Sequence, residues 1–224
     1  MLGWMHYLGR GTQQDRQKGI KIIRENRSDE FPFGEDECLA VRCFTSSNSP
    51  GARRFYQLCR LGSDREWLCR HLVAVCLFDG FGVSEDRPKA VDILQQLAHD
   101  GHSDSQFWIG ESHQCFHKIP RDSQRAFQWW SRSADQGNPY GQRRIGVSYY
   151  HGVIVSRNDT KAFEWLRKSA DQGYQLAQYW LGDCYKSGRG VAKDIDAAAL
   201  WYRKAAEQGH EESTNILMVM NKWP

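Results

Sequence analysis

The sequence lacks any hydrophobic run that approaches the roughly 20 residues of a membrane-spanning helix, and it has little excess charge. Its 224 residues include 30 lysines and arginines and 27 acidic residues, which gives a net charge of +3. Basic clusters such as Arg53–Arg54 and Arg143–Arg144 occur, but acidic residues are scattered throughout the chain, whereas nucleic-acid-binding domains usually concentrate basic residues in one continuous stripe. We therefore expect no membrane span and no nucleic-acid partner, and nucleic-acid binding is kept as an alternative that a gel-shift assay tests.

Cysteine is present in an odd number and in no recognisable framework. No C-x-x-C pair occurs, which argues against a zinc ribbon or a disulfide scaffold and favours thiols that are small buried side chains. The seven cysteines are Cys38, Cys43, Cys59, Cys69, Cys76, Cys115 and Cys184. The N-terminus has neither a basic n-region nor an apolar h-region, so a cytoplasmic location is expected.

Motifs that carry chemistry are also scarce. The pairs Gly80–Gly82 and Gly188–Gly190 do not have the spacing of a phosphate-binding loop and are typical of turns between helices. His113 and His117 could share one helix face, but Cys115 would point away from them and no third metal ligand is evident. The sequence therefore predicts no catalytic residue, no metal site and no cofactor.

A phrase that ends in glycine recurs every 36 residues. It reads Ser-Ala-Asp-Gln-Gly up to Gly137 and again up to Gly173, and Ala-Ala-Glu-Gln-Gly up to Gly209; the spacing also holds at Gly101. A fixed period of roughly 20 to 50 residues is typical of stacked helical repeats rather than of one closed core. We therefore expect an all-α solenoid.

Each repeat is predicted to contain two helices. A first helix over about 175–187 ends at Gly188, and a second helix runs to about 208 and is closed by Gly209. Asp194 is expected to cap the second helix, because its carboxylate can accept from the unpaired N–H groups of the first turn. The equivalent caps are Asp86, Asp122 and Asn158.

Large and small residues alternate between the two helices of a repeat. Glycine at 110, 146 and 182 lies within the first helix, where it costs about 1 kcal/mol relative to alanine, and this predicts a close approach of the second helix. Trp129, Trp165 and Trp201 are expected to fill the core between repeats.

The repeat pattern divides the chain into seven segments. Residues 1–27 form a partial repeat, which favours a fragment of a longer protein, with a stub that serves as a poor cap as the alternative. Residues 35–65 form a degenerate, shortened repeat that is expected to be the weakest part of the array. The other segments are full repeats at 69–102, 105–138, 141–174 and 177–210 and a C-terminal capping helix at 211–224.

The run Leu-Gly-x-x-Tyr-x-x-Gly-x-Gly-Val, followed by Asp and then Ala-x-x-Trp-Tyr-x-Lys-Ala-Ala-x-Gln-Gly, is complete at 181–209 and resembles the Sel1-like repeat, a relative of the tetratricopeptide repeat. The repeat at 105–138 departs from it with Phe116 and Lys118 in the turn, and that at 141–174 has Ile154 in place of the second glycine. The resemblance implies a right-handed α/α superhelix of about five to six repeats that acts as a non-catalytic adaptor or scaffold for other proteins.

The resemblance leaves narrower functions open. Members of the family regulate membrane-associated complexes, in degradation of misfolded proteins or in cell-wall synthesis. A further branch with cysteine pairs in every repeat is linked to hydrolysis, and this chain lacks those pairs.

In superhelices of this kind the first helices line the concave side, which is where a partner is expected to bind. Several positions there are not used by the repeat pattern, and their aromatic and arginine residues resemble interface hot spots. These are Phe107, Trp108, Glu111, Arg143, Arg144, Val147, Tyr179, Trp180 and Asp183. Arg143 and Arg144 suit an extended or acidic peptide, and replacing both with glutamate is expected to abolish partner capture without unfolding.

Overall fold

A computed structural model of the chain describes residues 48–115 and 121–222. The predicted partial repeat at 1–27 and the first helix of the predicted repeat at 35–65 lie outside these ranges. The chain divides into two compact units, the first ending at Asp122 and the second beginning at Ser123.

Every regular element in the described ranges is an α-helix, as the repeat predicts. In unit 1 the helices are α1 (Pro50–Gly62), α2 (Trp67–Asp79), α3 (Arg87–His99) and α4 (Ser103–Cys115). In unit 2 they are α5 (Ser123–Asp135), α6 (Pro139–His151), α7 (Asp159–Asp171), α8 (Gln175–Ser187), α9 (Ile195–Ala206) and α10 (Glu211–Val219). Within each unit, every helix packs on the helix that precedes and the helix that follows it.

The glycines that mark the period close the second helices in a left-handed conformation. Their φ angles are 98° at Gly101, 85° at Gly137, 91° at Gly173 and 89° at Gly209. After α9, the N–H of Gly209 donates to the carbonyl of Ala206 and the N–H of His210 donates to that of Ala205, the paired bonds of a Schellman motif. The prediction that these glycines end the second helices is confirmed.

The turn inside each repeat is fixed at both of its ends. The first helices α2, α6 and α8 end on left-handed glycines, Gly80, Gly152 and Gly188. The Asp194 side chain then accepts from the N–H of Ala197, while its own N–H donates to the carbonyl of Tyr185 in the last turn of α8. Asp86 and Asn158 cap α3 and α7 in the same way. The cap predictions at these three positions are confirmed.

The close approach is confirmed at two of the mid-helix glycines, Gly146 and Gly182, and stays a prediction at Gly110, but the tryptophan prediction is wrong. A Cβ at Gly146 would lie 2.7 Å from Leu166 Cγ, and one at Gly182 would lie 2.8 Å from Tyr202 Cδ1. Leu166 and Tyr202 are fully buried, as is Trp130 at 3% exposure. The predicted core residues Trp129, Trp165 and Trp201 precede these by one position, which rotates them by about 100° about the helix axis, and they are half-buried.

Candidate interaction surface

Three of the nine residues that were predicted to line the binding surface lie in the core of unit 1. Phe107, Trp108 and Glu111 on α4 are only 2%, 1% and 2% exposed. The Trp108 ring packs edge-on against Phe78 and His71 of α2, with centroids 5.6 and 6.2 Å apart. These three residues therefore do not form an exposed binding surface, and this part of the prediction is corrected.

Arg143 and Arg144 on α6 are half-buried and point toward different neighbours. The guanidinium carbon of Arg143 lies 5.8 Å from the centre of the Tyr174 ring, and that of Arg144 lies 5.2 Å from the centre of the Trp130 ring. Each arginine thus packs on an aromatic ring of its own unit, which stabilises the repeat by cation–π attraction. The two side chains do not form a single basic patch.

Tyr179 and Trp180 belong to a continuous series of ring contacts along unit 2, which we call the aromatic string: Tyr150, His151, Trp180, Tyr179 and His210. It runs from the end of α6 across α8 to the residue that caps α10. The Trp180 ring lies 5.1 Å from Tyr150 and 5.2 Å from His151. The Tyr179 ring lies 5.5 Å from Trp180 and 4.9 Å from His210.

The aromatic string is partly open to solvent. Tyr150 is buried at 7% exposure, whereas Trp180, Tyr179 and His210 are half-buried and His151 is exposed. Solvent access continues on α10, where Val219 occupies the position equivalent to Asp183 and is 85% exposed. Tryptophan and tyrosine are enriched among the residues that dominate binding at protein interfaces, and here both have surface left to bury against a partner.

Two carboxylates are hydrogen-bonded to tyrosines beside the string. The hydroxyl of Tyr202 donates to Asp183 Oδ1 at 2.6 Å, and the hydroxyl of Tyr179 donates to Glu212 Oε1 at 3.1 Å. Burial raises the pKa of Tyr202 and of Tyr179 well above the usual range, and the neighbouring Asp183 charge raises both further. Both hydroxyls therefore stay protonated and hold the carboxylates in place.

Sequence reasoning missed Tyr150, His151, Arg189, His210 and Glu212. The repeat pattern offers one signal that could have found some of them: Tyr150 and Arg189 do not recur one period away, where Lys186 and Val153 stand. The guanidinium carbon of Arg189 lies 4.2 Å from the centre of the Tyr150 ring, a contact between a turn and a helix of the preceding repeat that only the fold reveals.

Metal binding, thiol reactivity and membrane insertion each require a specific grouping or environment of residues. In residues 48–115 and 121–222, no three His, Cys, Asp or Glu side chains are grouped as metal ligands. His117, which was considered together with His113 as a possible metal ligand, lies outside those ranges. Burial raises the pKa of the Cys59 and Cys184 thiols to about 12, so both are unreactive core residues. No described helix combines the length and apolar character that crossing a bilayer requires.

The fold is similar to solved bacterial repeat structures. A Sel1 repeat protein from Oxalobacter formigenes superposes with a TM-score of 0.67 at 21% identity, over 96% of this chain and 74% of that one. The protein c5321, a protective antigen of uropathogenic Escherichia coli with an SLR fold, gives a TM-score of 0.58 at 24% identity, over 95% of this chain and 46% of that one. At these identities the likeness shows the fold alone. No curated protein matches the sequence.

The Sel1 repeat family matches most of the sequence. The matched residues are 1–22, 67–102, 103–138, 139–174 and 175–210. The four complete matches have the same 36-residue period as the glycines, and they span the described helix pairs from α2 to α9. The confirmed turn glycines and caps are the landmarks of that repeat, and the chain belongs to the Sel1 repeat family.

Proposed function

We propose that this chain is a non-catalytic adaptor that binds a segment of a partner protein on the first helices of unit 2. Sel1 repeat proteins are commonly scaffolds for protein interactions, which supports the general role. The proposed binding surface comprises the aromatic string together with Arg143, Arg144 and Asp183.

The observation that carries the proposal is the contrast between equivalent positions of two first helices. Phe107 and Trp108 on α4 are buried, whereas Tyr179 and Trp180, which follow two periods later on α8, are half-buried and link three helices of unit 2 through ring contacts. A half-buried tryptophan can bury further area against a partner without any rearrangement of the fold, and such residues dominate interface energetics.

A displayed library of random linear peptides tests the proposal. We expect the chain to select peptides whose binding is lost on Trp180→Ala, because truncation removes the central ring of the string. Trp165→Ala is the matched control, since Trp165 is a half-buried tryptophan on a second helix, with Lys168 over its ring. Equal binding by both variants would contradict the proposed location.

Replacement of Arg143 and Arg144 by glutamate remains a second test of the surface. We expect loss of capture, as the sequence predicts, but each guanidinium lies on an aromatic ring, so some stability is lost as well. Thermal unfolding of the double variant separates the two effects. Capture that persists in a folded double variant would remove the arginines from the surface.

The narrower possibilities stay predictions. Nothing in the described ranges favours a membrane-associated complex, nucleic-acid binding or hydrolysis over a general adaptor role. A cytoplasmic location also stays a prediction, which fractionation of cells that express the tagged chain tests.

A further inference from the structure

Trp180 differs from the other tryptophans of unit 2 in what lies over its ring. Four of the five tryptophans in the described part of that unit carry a cation of their own chain. The distances from cation to ring centre are 4.6 Å for Arg132 on Trp129, 5.2 Å for Arg144 on Trp130, 4.3 Å for Lys168 on Trp165 and 3.9 Å for Lys204 on Trp201. Within the described ranges, no lysine or arginine lies over Trp180.

Next to this ring on the helix surface is a carboxylate that has no cationic partner among the described residues. Asp183 follows Trp180 by three residues and Tyr179 by four on α8, so the three side chains are neighbours on the helix surface. Asp183 is half-buried and accepts one hydrogen bond, from Tyr202, and it forms no ion pair with any residue that the structure describes. A partly desolvated carboxylate attracts a cation more strongly than one in water.

The charge of Asp183 acts on the surrounding rings. Burial is the largest cause of the raised pKa of Tyr150, Tyr179 and Tyr202. The negative charge of Asp183 raises the pKa of all three further. The carboxylate is therefore close to three tyrosines as well as to Trp180. Glu212, which is exposed and accepts from Tyr179, adds a second negative charge at the same end of the string.

Aromatic faces combined with a carboxylate are the arrangement that binds an ammonium or guanidinium group. On this basis we propose that the partner segment inserts a lysine or arginine side chain beside Trp180, with its charged group paired to Asp183. The proposal rests on the proposed function, and it adds the chemical character of the anchoring residue. The partner thus supplies the cation that the chain itself supplies to its other four described tryptophans in unit 2.

The random peptide library tests this inference with Asp183→Asn. Asparagine keeps an oxygen that can accept from Tyr202, so the variant removes the charge and preserves the hydrogen bond. Asp135→Asn is the matched control, because Asp135 is an exposed aspartate at the end of a second helix, α5. We expect peptides selected by the unaltered chain to be enriched in lysine or arginine, and to bind Asp183→Asn about tenfold more weakly or worse.

A second measurement does not depend on how the variants fold. In a selected peptide, replacement of the basic residue by glutamine is expected to weaken binding to the unaltered chain by a similar factor. Peptides that depend on Trp180 but show neither basic enrichment nor sensitivity to Asp183→Asn would overturn this inference and leave the proposed function standing. Failure to select any Trp180-dependent peptide would overturn both.

Discussion

At the scale of single residues, two glycines with the same backbone conformation have different surroundings. Gly188 and Gly190 have φ angles of 72° and 71°. A Cβ at Gly190 would lie 2.1 Å from the carbonyl oxygen of Asp159 in the first turn of α7, whereas at Gly188 the nearest atom would be Lys193 Cβ at 3.3 Å. Gly188 is thus required for the left-handed backbone, and Gly190 also for contact between successive repeats.

This difference predicts unequal effects of the same substitution. Gly188→Ala is expected to cost about 1–2 kcal/mol, the strain of a left-handed alanine. Gly190→Ala is expected to cost about 1–3 kcal/mol more, because the backbone of α7 must move. Urea unfolding of the two variants measures the difference in the free energy of unfolding. Equal destabilisation would show that the turn adjusts at no cost.

A second prediction at this scale concerns the pH dependence of stability. Burial raises the pKa of the Asp79 carboxyl from 3.8 to about 7, although the nearby Arg87 lowers it, and Asp79 Oδ2 is buried with no hydrogen-bond partner among the described residues. The native state therefore keeps a proton that the unfolded chain releases. The stabilisation is full below about pH 4 and is lost as the pH rises to about 7.

The substitution Asp79→Asn should remove this dependence. We expect the free energy of unfolding to fall less in Asp79→Asn than in the unaltered chain between about pH 5 and about pH 8. Asp92→Asn, at an exposed position on α3, is the control and should not change the slope. The same fall in all three proteins would contradict the assignment of a raised pKa to Asp79.

At the scale of helices and turns, glutamine side chains bind successive repeats together. Gln172 Nε2 donates to the carbonyl of Gly137 at 2.9 Å and to Gln142 Oε1 at 2.8 Å, and Gln208 Nε2 donates to Gln178 Oε1 at 2.7 Å. Gln142 and Gln178 in turn donate to the carbonyls of Ala134 and Ala170. These bonds explain why glutamine precedes the closing glycine in the repeated phrase.

The sequence predicts elements better than the direction of side chains. Glycine and cap positions were predictable because each depends on local backbone geometry, as at Gly209 and Asp194. The face of the helix that enters the core was not predictable to within one residue. Consecutive side chains on a helix point in directions about 100° apart, so Tyr202 lies in the core while Trp201 is only half-buried. Trp201 was expected in the core because tryptophan is large and apolar, but its ring lies partly at the surface, where Lys204 covers it.

Helix α1 is expected to be the least protected of the described helices. Among its 13 residues only Ala52 and Cys59 are buried, whereas α2 buries nine residues, and Leu58 and Leu61 are 56% and 81% exposed. Few buried contacts lower the free energy of local opening. Hydrogen exchange should therefore be faster for amides of α1 than for those of α2 or α8. Slowest exchange in α1 would refute the prediction, made from the sequence, of a weak 35–65 segment.

At the scale of the whole molecule, stability in a repeat array is approximately a sum of neighbouring interfaces. The periodic residues supply those interfaces, so the residues that break the period are left for recognition. The sequence shows that positions 107, 143 and 179 are equivalent in the repeat. It does not show how exposed each one is, because the burial of Phe107 depends on what surrounds α4 in three dimensions. The aromatic string joins residues of two successive repeats, and its last member caps the helix that follows them, so no single repeat indicates it.

The central claim is that a partner binds at Trp180. Its most direct test is the nuclear magnetic resonance spectrum of the ¹⁵N-labelled chain, in which each tryptophan indole N–H gives its own signal, recorded during titration with a peptide selected by the chain. We predict a shift of the Trp180 signal, with those of Trp129, Trp165 and Trp201 unchanged. Shifts confined to these three tryptophans of the second helices, with Trp180 unaffected, would contradict the claim.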